Sequence, residues 1–492
     1  MKALMIQGCG SDVGKSLLVA GLCRLFTNRG VSVRPFKPQN MSNNAAVTAD
    51  GGEIGRSTAL QAIACRTPPT VDMNPVLLKP QSDIGAQLIV RGQRVGVMQA
   101  SAHGKSKSDL LAIAVDCFRR LQSEAGLVIV EGAGSPAETN LRTHDIANMG
   151  FAHAANLPVI LVGDIDRGHV IASIVGAHTV LDAADRARIR GFIVNKFRGD
   201  ISLFNAGVAT IESYTGWRGL GVVPWIRAAR ELPEEDGMHL DQQLQSPHAP
   251  TNAGRKLIAV LHLPHIANFD DFDPLIAEPE VDLRFVAADA PLPLHADLII
   301  IPGSKTTIAD LEFLRAQHRD EELRVYARRG GRILGICAGY QMLGRAVRDP
   351  DRIEGDRDHS RGLGLLDVET IMTAQKILRP VEGRHASSGA SFRGYEMHLG
   401  ETTGPATARP LLQFADGNAD GATSADGRIS GCYVHGLFTD SGFRAALLAS
   451  LGARSTGEDY LRRVDQALDE VAAVLERSLD TDAILSMAGA AT

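Results

Sequence analysis

At 492 residues, with 44 % hydrophobic and 22 % charged side chains, the chain is too long for one core and has the make-up of a globular protein of roughly two to four domains. Its formal net charge of −6 comes without a basic block, which argues against nucleic acid as a main partner. No run of about eighteen apolar residues exists and Met1 leads directly into a strand, so no membrane span or export signal is expected and a cytoplasmic location is. The six cysteines, Cys9, Cys23, Cys65, Cys117, Cys337 and Cys432, form no C-x-x-C pair; this argues against a zinc knuckle and suits free thiols in a reducing compartment.

The apolar run Ala3-Leu4-Met5-Ile6 predicts a buried strand. It breaks into Gly8-Cys9-Gly10-Ser11-Asp12-Val13-Gly14-Lys15-Ser16, and residues 17–29 then carry apolar side chains at helical spacing before stopping at Gly30. Strand, glycine-rich turn and helix in that order make a phosphate cradle. The helix offers free N–H groups and its positive dipole end to an anion, Lys15 adds a point charge and Ser16 offers an oxygen to Mg²⁺. Gly10 and Gly14 are the expected nucleotide-binding glycines. Strict P-loop spacing places glycine at position 9, so Cys9 makes this a variant. Residues 31–36 read as a second strand, closing a βαβ unit.

Lys37-Pro38-Gln39-Asn40-Met41-Ser42-Asn43-Asn44 and Asp50-Gly51-Gly52-Glu53-Ile54-Gly55-Arg56 are dense in amides and charges between regular elements. They read as a recognition surface for an anionic, hydrogen-bonding ligand. Gly104-Lys105-Ser106 mimics the end of a P-loop, but no strand and glycine turn precede it, which leaves a surface segment. Further strands are predicted at 127–130, 158–162, 191–194 and 220–223, with helical patterns between them. This alternation predicts a mostly parallel α/β sheet whose ligands lie beyond the carboxyl ends of the strands. Glu131 stands at such an end and is the expected Mg²⁺ ligand beside Ser16, with Asp164 and Asp166 as second choices. Asn195-Lys196 opens like a guanine-reading motif. Arg198 stands where that motif needs aspartate, which favours ATP over GTP, with Asn195 at the nucleotide.

Residues 228–255 turn acidic and polar, with several prolines and no periodicity, and read as an interdomain linker. Strands recur at 257–261, 298–301 and 333–336. In Gly335-Ile336-Cys337-Ala338-Gly339-Tyr340-Gln341 a strand ends, one residue sits on a tight turn between glycines, and a helix begins. That is the pattern of a nucleophile elbow, in which the helix start favours an attacking thiolate. The other five cysteines lack such a setting and read as structural thiols. A cysteine nucleophile needs a base, and His435, in Gly431-Cys432-Tyr433-Val434-His435-Gly436-Leu437-Phe438, ends a strand-like run about a hundred residues downstream. Pro302-Gly303-Ser304 follows its own strand and could offer a backbone N–H to an oxyanion alongside that of Ala338. Residues 459–487 have helical apolar spacing and read as a closing helix.

The P-loop of residues 8–16 resembles that of the dethiobiotin-synthetase type. The segments Lys37 to Asn44, Met73 to Pro80, Glu131 to Glu138, Asp145 to Gly150, Asp164 to Gly168 and Asn195 to Asp200 resemble, in order, those of the cobyric acid synthase family. The resemblance implies a P-loop parallel-sheet α/β domain over 1–227, the linker, and a second α/β domain over 256–492 of the class I glutamine amidotransferase type, with the closing helix included. It implies ATP- and glutamine-dependent amidation of corrinoid side-chain carboxylates in cobalamin biosynthesis. The sites would be the b, d, e and g positions of adenosylcobyrinic acid a,c-diamide, converted to adenosylcobyric acid through acyl phosphates. Ammonia would come from a Cys337–His435 glutaminase and travel by a sheltered path. ATP and Mg²⁺ are the implied cofactors, glutamine and a corrinoid carboxylate the partners; a homo-oligomer is compatible with this.

Two positions depart from the pattern. His169 stands where the family carries a second glycine, and Leu437 stands where a class I triad has glutamate, an absence common in the corrinoid branch that leaves open what orients His435. The rival within the class is cobyrinate a,c-diamide synthase, disfavoured by the segment from Lys37 to Asn44. The rival outside it is a P-loop regulatory ATPase with a decayed glutaminase half, disfavoured by the survival of Cys337 and His435.

Overall fold

The computed structural model describes residues 2–82, 85–99, 105–233, 254–287 and 289–489. The chain divides into two compact units, Met1–Pro233 with Val464–Thr492, and Glu234–Arg463. Most of the expected linker, 234–253, lies outside the described residues, as does Gly104. Lys105 opens the helix Lys105–Glu124.

The first unit is built on six parallel strands: β1 (Lys2–Gly8), β2 (Val33–Phe36), β3 (Leu127–Glu131), β4 (Val159–Asp164), β5 (Ile189–Phe197) and β6 (Arg218–Pro224). Their spatial order is β6-β5-β4-β1-β3-β2. Helices cover both faces, so the strands read as unbroken apolar runs, and β3 is buried at every position. Phe36, Phe118 and Phe151 meet on one face at centroid separations of 5.3 to 5.6 Å. Helix α1 (Lys15–Asn28) follows β1 at the carboxyl edge of the sheet.

Residues 37–56, expected as loops, carry short strands. Gln39–Met41 pairs with Val76–Ser82, which continues through Gly85–Val90 and Gln93–Gln99 into a four-stranded accessory sheet, and Ala45–Val47 pairs with Glu53–Gly55. Gln39-Asn40-Met41 has no apolar alternation, so periodicity could not reveal a strand there.

The single closing helix expected over 459–487 is two, Tyr460–Ser478 and Thr481–Gly489, with Leu479 between them bridging to Gly221 of β6. From Val464 onward this segment belongs with the first unit, not with the amidotransferase domain as its position in the chain suggested. Its apolar stripe lies on α1, where a Cβ at Gly21 would stand 2.5 Å from Leu475 and 2.7 Å from Val471. Arg24 and Asn28 of α1, and Arg29 just beyond its end, pair with Asp465, Asp469 and Glu476. Amphipathic spacing shows that a helix buries a face, not which surface covers it.

The second unit has its own core around β7 (Lys256–Leu261), β8 (Val281–Val286), β9 (Leu298–Ile301), β10 (Ile333–Ile336), β11 (Ala422–Thr423) and β12 (Ile429–Cys432), in the order β8-β7-β9-β10-β12-β11. All neighbours are parallel except β11 and β12. A second sheet is organised by a long hairpin, Glu369–His385 with Ser391–Thr403, which the sequence reading did not identify. The chain leaves the first sheet at Cys432 and joins the second within two residues, where Val434 and His435 pair with Glu396 and Tyr395.

Candidate functional site

In the first unit the loop after β1 turns through two left-handed residues, Asp12 at φ 56° and Gly14 at φ 90°. A Cβ at Gly14 would lie 2.3 Å from Asn195 Nδ2, so only glycine fits. Asn195 donates Nδ2–H to the Val13 carbonyl at 2.8 Å, which ties the end of β5 to the loop. At Gly10 a Cβ would meet only Val13, at 4.0 Å, whereas at Gly8 it would lie 2.5 Å from the same side chain. The required glycine in the first turn is therefore Gly8, and Gly10 contributes its carbonyl. Lys15 Nζ donates to Gly10 O at 2.8 Å and to Gly134 O at 3.1 Å, holding the ammonium within the loop. Burial pushes the Cys9 thiol up to about 12 despite the nearby Lys15, so the variant position presents a neutral thiol.

Glu131 ends β3, buried, and gathers the polar groups around it. Ser16 Oγ donates to its Oε1 at 2.7 Å, Lys37 Nζ lies 2.9 Å from the same oxygen, and Gln61 donates to Oε2. Burial alone would raise this carboxyl; Lys37, Ser16 and Gln61 outweigh it and hold it below the usual glutamate range. Asp164 and Asp166, the second-choice ligands, have other roles. Asp164 pairs with Lys196 at 2.9 Å and accepts from the Asp166 N–H, while Asp166 pairs with Arg198. Of the three acids only Glu131 is hydrogen-bonded to Ser16 in the structure.

The Ser16 hydroxyl and the Glu131 carboxylate are hard oxygens converging on one point, the donor chemistry Mg²⁺ takes when water and phosphate complete its shell. Among the described residues no group of three or more His, Cys, Asp or Glu forms a cage. Gln61, which the sequence reading missed, is fully buried on the helix Arg56–Ala64, whose first turn is itself polar (Arg56, Ser57, Thr58), so nothing in the sequence set this amide apart.

In the second unit Cys337 follows β10 at φ 54°, ψ −112°, and the helix Ala338–Leu343 starts after it. It is the only cysteine among the described residues held at positive φ, the strained turn expected of an elbow. A Cβ at Gly339 would lie 1.9 Å from Ile301 O, so the helix's first turn is pressed onto the end of β9. The sulfur lies 3.5 Å from Met397 O.

His435, 2 % exposed, faces this sulfur, with Gly303 at its edge; a Cβ there would stand 3.1 Å from Cε1. The Tyr395 ring stacks on the imidazole at 5.5 Å and 20°. His435 Nδ1 lies 2.7 Å from Asp271 Oδ2, and Gly436 N–H donates to Asp271 Oδ1 at 2.7 Å. Burial pushes the imidazolium down, but the Asp271 carboxylate and the Cys337 sulfur outweigh it and raise it to about 10. The sequence reading missed Asp271: it lies in Asn268-Phe269-Asp270-Asp271-Phe272, with no motif to link it to His435. Leu437 is buried in the hydrophobic core of this unit.

Gln341, four residues after Cys337, donates Nε2–H to Leu399 O at 2.8 Å and to Tyr433 Oη at 3.2 Å, and accepts from Thr307 Oγ1 at 3.1 Å. These bonds tie the helix that follows the thiol to the strand Ser391–Thr403 and to Tyr433. His169, the departure from the glycine pattern, takes the left-handed conformation itself, φ 62° and ψ 10°, at the start of the helix Val170–Val180.

Residues 4–239 match the CobQ/CobB/MinD/ParA nucleotide binding domain, and residues 257–443 match the CobB/CobQ-like glutamine amidotransferase domain. The chain is 62 % identical to a cobyric acid synthase of Caulobacter sp. (strain K31), over 99 % of this chain and all of the relative. It is 58 % identical to one of Methylorubrum populi, over 99 % of both chains, and 57 % identical to one of Novosphingobium aromaticivorans, over 98 % of this chain and 97 % of that one. Both halves are thus matched, in the order that the two sites occupy along the polypeptide. The chain belongs to the cobyric acid synthase family, enzymes that couple a nucleotide-binding domain to a glutamine amidotransferase domain.

Proposed function

We propose that this chain amidates corrinoid side-chain carboxylates at the b, d, e and g positions of adenosylcobyrinic acid a,c-diamide, using ATP and glutamine. The observation that carries the reading is the strained Cys337 facing His435, in a chain whose P-loop also keeps Lys15 and hydrogen-bonds its Ser16 to Glu131 at the end of β3. A carboxylate resists amination because its oxygen leaves poorly. Transfer of the ATP γ-phosphoryl group to the carboxylate gives an acyl phosphate and ADP; ammonia then attacks the acyl carbon, and the C–O bond breaks to release inorganic phosphate. Lys15 lies in the loop to balance phosphate charge, and Asn195 braces the loop from β5. Ser16 and Glu131 would hold Mg²⁺, which supplies charge neutralisation when bound. Cys337 attacks the glutamine side-chain amide, His435 moves the proton, and water hydrolyses the thioester.

In Cys337→Ala protein, glutamine-dependent amide formation is expected to fall at least about 10³-fold, while amidation from added ammonium salt continues. Product masses after incubation with each corrinoid acid check both the chemistry and the positions. Amidation at a and c instead would assign the chain to the diamide synthase reaction, and glutamine-driven turnover by the variant would remove Cys337 from the mechanism.

A further inference from the structure

We infer that Asp271 is the acid that positions His435 for the glutaminase step, taking the place of the carboxylate that a class I triad carries two residues after its histidine. The inference rests on the reading of Cys337 as nucleophile. The two residues are 164 positions apart, and both are at least nine-tenths buried.

A carboxylate that merely capped the turn after His435 would need one oxygen, and Oδ1 already serves the Gly436 N–H. The second oxygen lies on Nδ1 at 2.7 Å, a contact that capping does not require. Asp271 is itself held from behind: its N–H donates to Asn268 O at 3.1 Å, and Asn268 is a left-handed residue at φ 54°. Asn268 Nδ2 donates to Tyr395 Oη at 3.1 Å, and the same tyrosine ring covers the face of His435. The short helical turn Phe269–Phe272 and the strand Ser391–Thr403 thus grip the imidazole by its edge and its face. With Nδ1–H committed to the carboxylate, Nε2 is left for the sulfur.

In the resting pair Nε2 already holds the proton of Sγ, and the thiolate forms the C–S bond to the glutamine δ-carbon. The imidazolium gives that proton to the amide nitrogen as the C–N bond breaks, releasing ammonia. Water then cleaves the thioester, its proton passing through Nε2 to the sulfur and its oxygen remaining on glutamate. The titratable groups facing His435 are Asp271, Cys337 and the Tyr395 hydroxyl bonded to Asn268.

The test uses full-length Asp271→Asn and Asp271→Glu protein with three readouts: glutaminase kcat and KM, amidation driven by ammonium salt, and the pH dependence of iodoacetamide alkylation at Cys337, followed by peptide mass. In Asp271→Asn, kcat is expected to fall roughly 10²- to 10⁴-fold with KM for glutamine little changed and ammonia-driven amidation retained. The alkylation inflection moves to higher pH, because the imidazolium that stabilises the thiolate loses its counter-ion. Asp271→Glu, which keeps the charge, keeps the wild-type inflection. Wild-type kcat in the Asn variant, or a loss of kcat with an unmoved inflection, overturns the inference; the latter would show that Asp271 only braces the fold. Alkylation reports on the sulfur even in a variant with no turnover. If Cys337→Ala protein itself still hydrolyses glutamine, the underlying reading fails instead.

Discussion

His169 shows how one side chain can break a pattern without breaking a backbone. The left-handed conformation before the helix Val170–Val180 is one that glycine enters freely and other residues enter at a cost of about 1 kcal/mol. The chain follows the same path with histidine and bears that cost. His169→Gly is therefore expected to raise stability by about 0.5–1 kcal/mol, read as a higher urea midpoint at unchanged m-value. At this scale the sequence was legible wherever chemistry is local. Lys15, Ser16 and Cys337 lie in contiguous strand–turn–helix patterns, and Glu131 closes a strand whose neighbour is β1. Asp271 and Gln61 were not legible. Each acts through a contact made across scores of residues, and no spacing rule links an aspartate after the first strand of one unit to a histidine that follows its last.

At the scale of elements, strands buried in a parallel sheet announced themselves. The runs at 298–301, Leu-Ile-Ile-Ile, and 333–336, Ile-Leu-Gly-Ile, coincide with β9 and β10, as short apolar runs do when both faces of a parallel sheet are covered. The hairpin Glu369–His385 with Ser391–Thr403 stayed hidden, since much of it is exposed and mixed in polarity, and long-range pairing rather than composition makes it a sheet. The docking of α1 carries a prediction of its own. Arg24 is fully buried and its charge is met by Asp465, a half-exposed carboxylate, with Asp469 at 3.7 Å. Removing Asp465 leaves the buried guanidinium only the more distant Asp469 and the Ile63 carbonyl; removing both groups leaves no buried charge to satisfy. Asp465→Ala is expected to cost about 2–3 kcal/mol, and the double variant Arg24→Met, Asp465→Ala to recover most of it, as urea denaturation would measure.

For the whole molecule, the first break between the compact units, Pro233 to Glu234, falls within the polar stretch 228–255, whereas nothing in the order of the chain assigns its tail from Val464 onward to the first unit. Val464, Leu468, Val471, Leu475, Leu479 and Ile484 are all buried, and at about 1.5–3 kcal/mol each their burial is on the order of 10 kcal/mol, comparable with the net stability of an entire domain. A chain ending at residue 463 is therefore expected to lose the fold of its nucleotide-binding unit, seen as rapid proteolysis within residues 2–233 under conditions that spare the full-length protein. That shared ownership also sets a timetable for synthesis. The 230 residues from Glu234 to Arg463 must be translated before the segment covering α1 is made, and at about 5–20 residues per second this takes about 10 to 50 s. Throughout that interval the newborn front half carries an uncovered oily stripe on the ribosome, a window in which a chaperone would find its client.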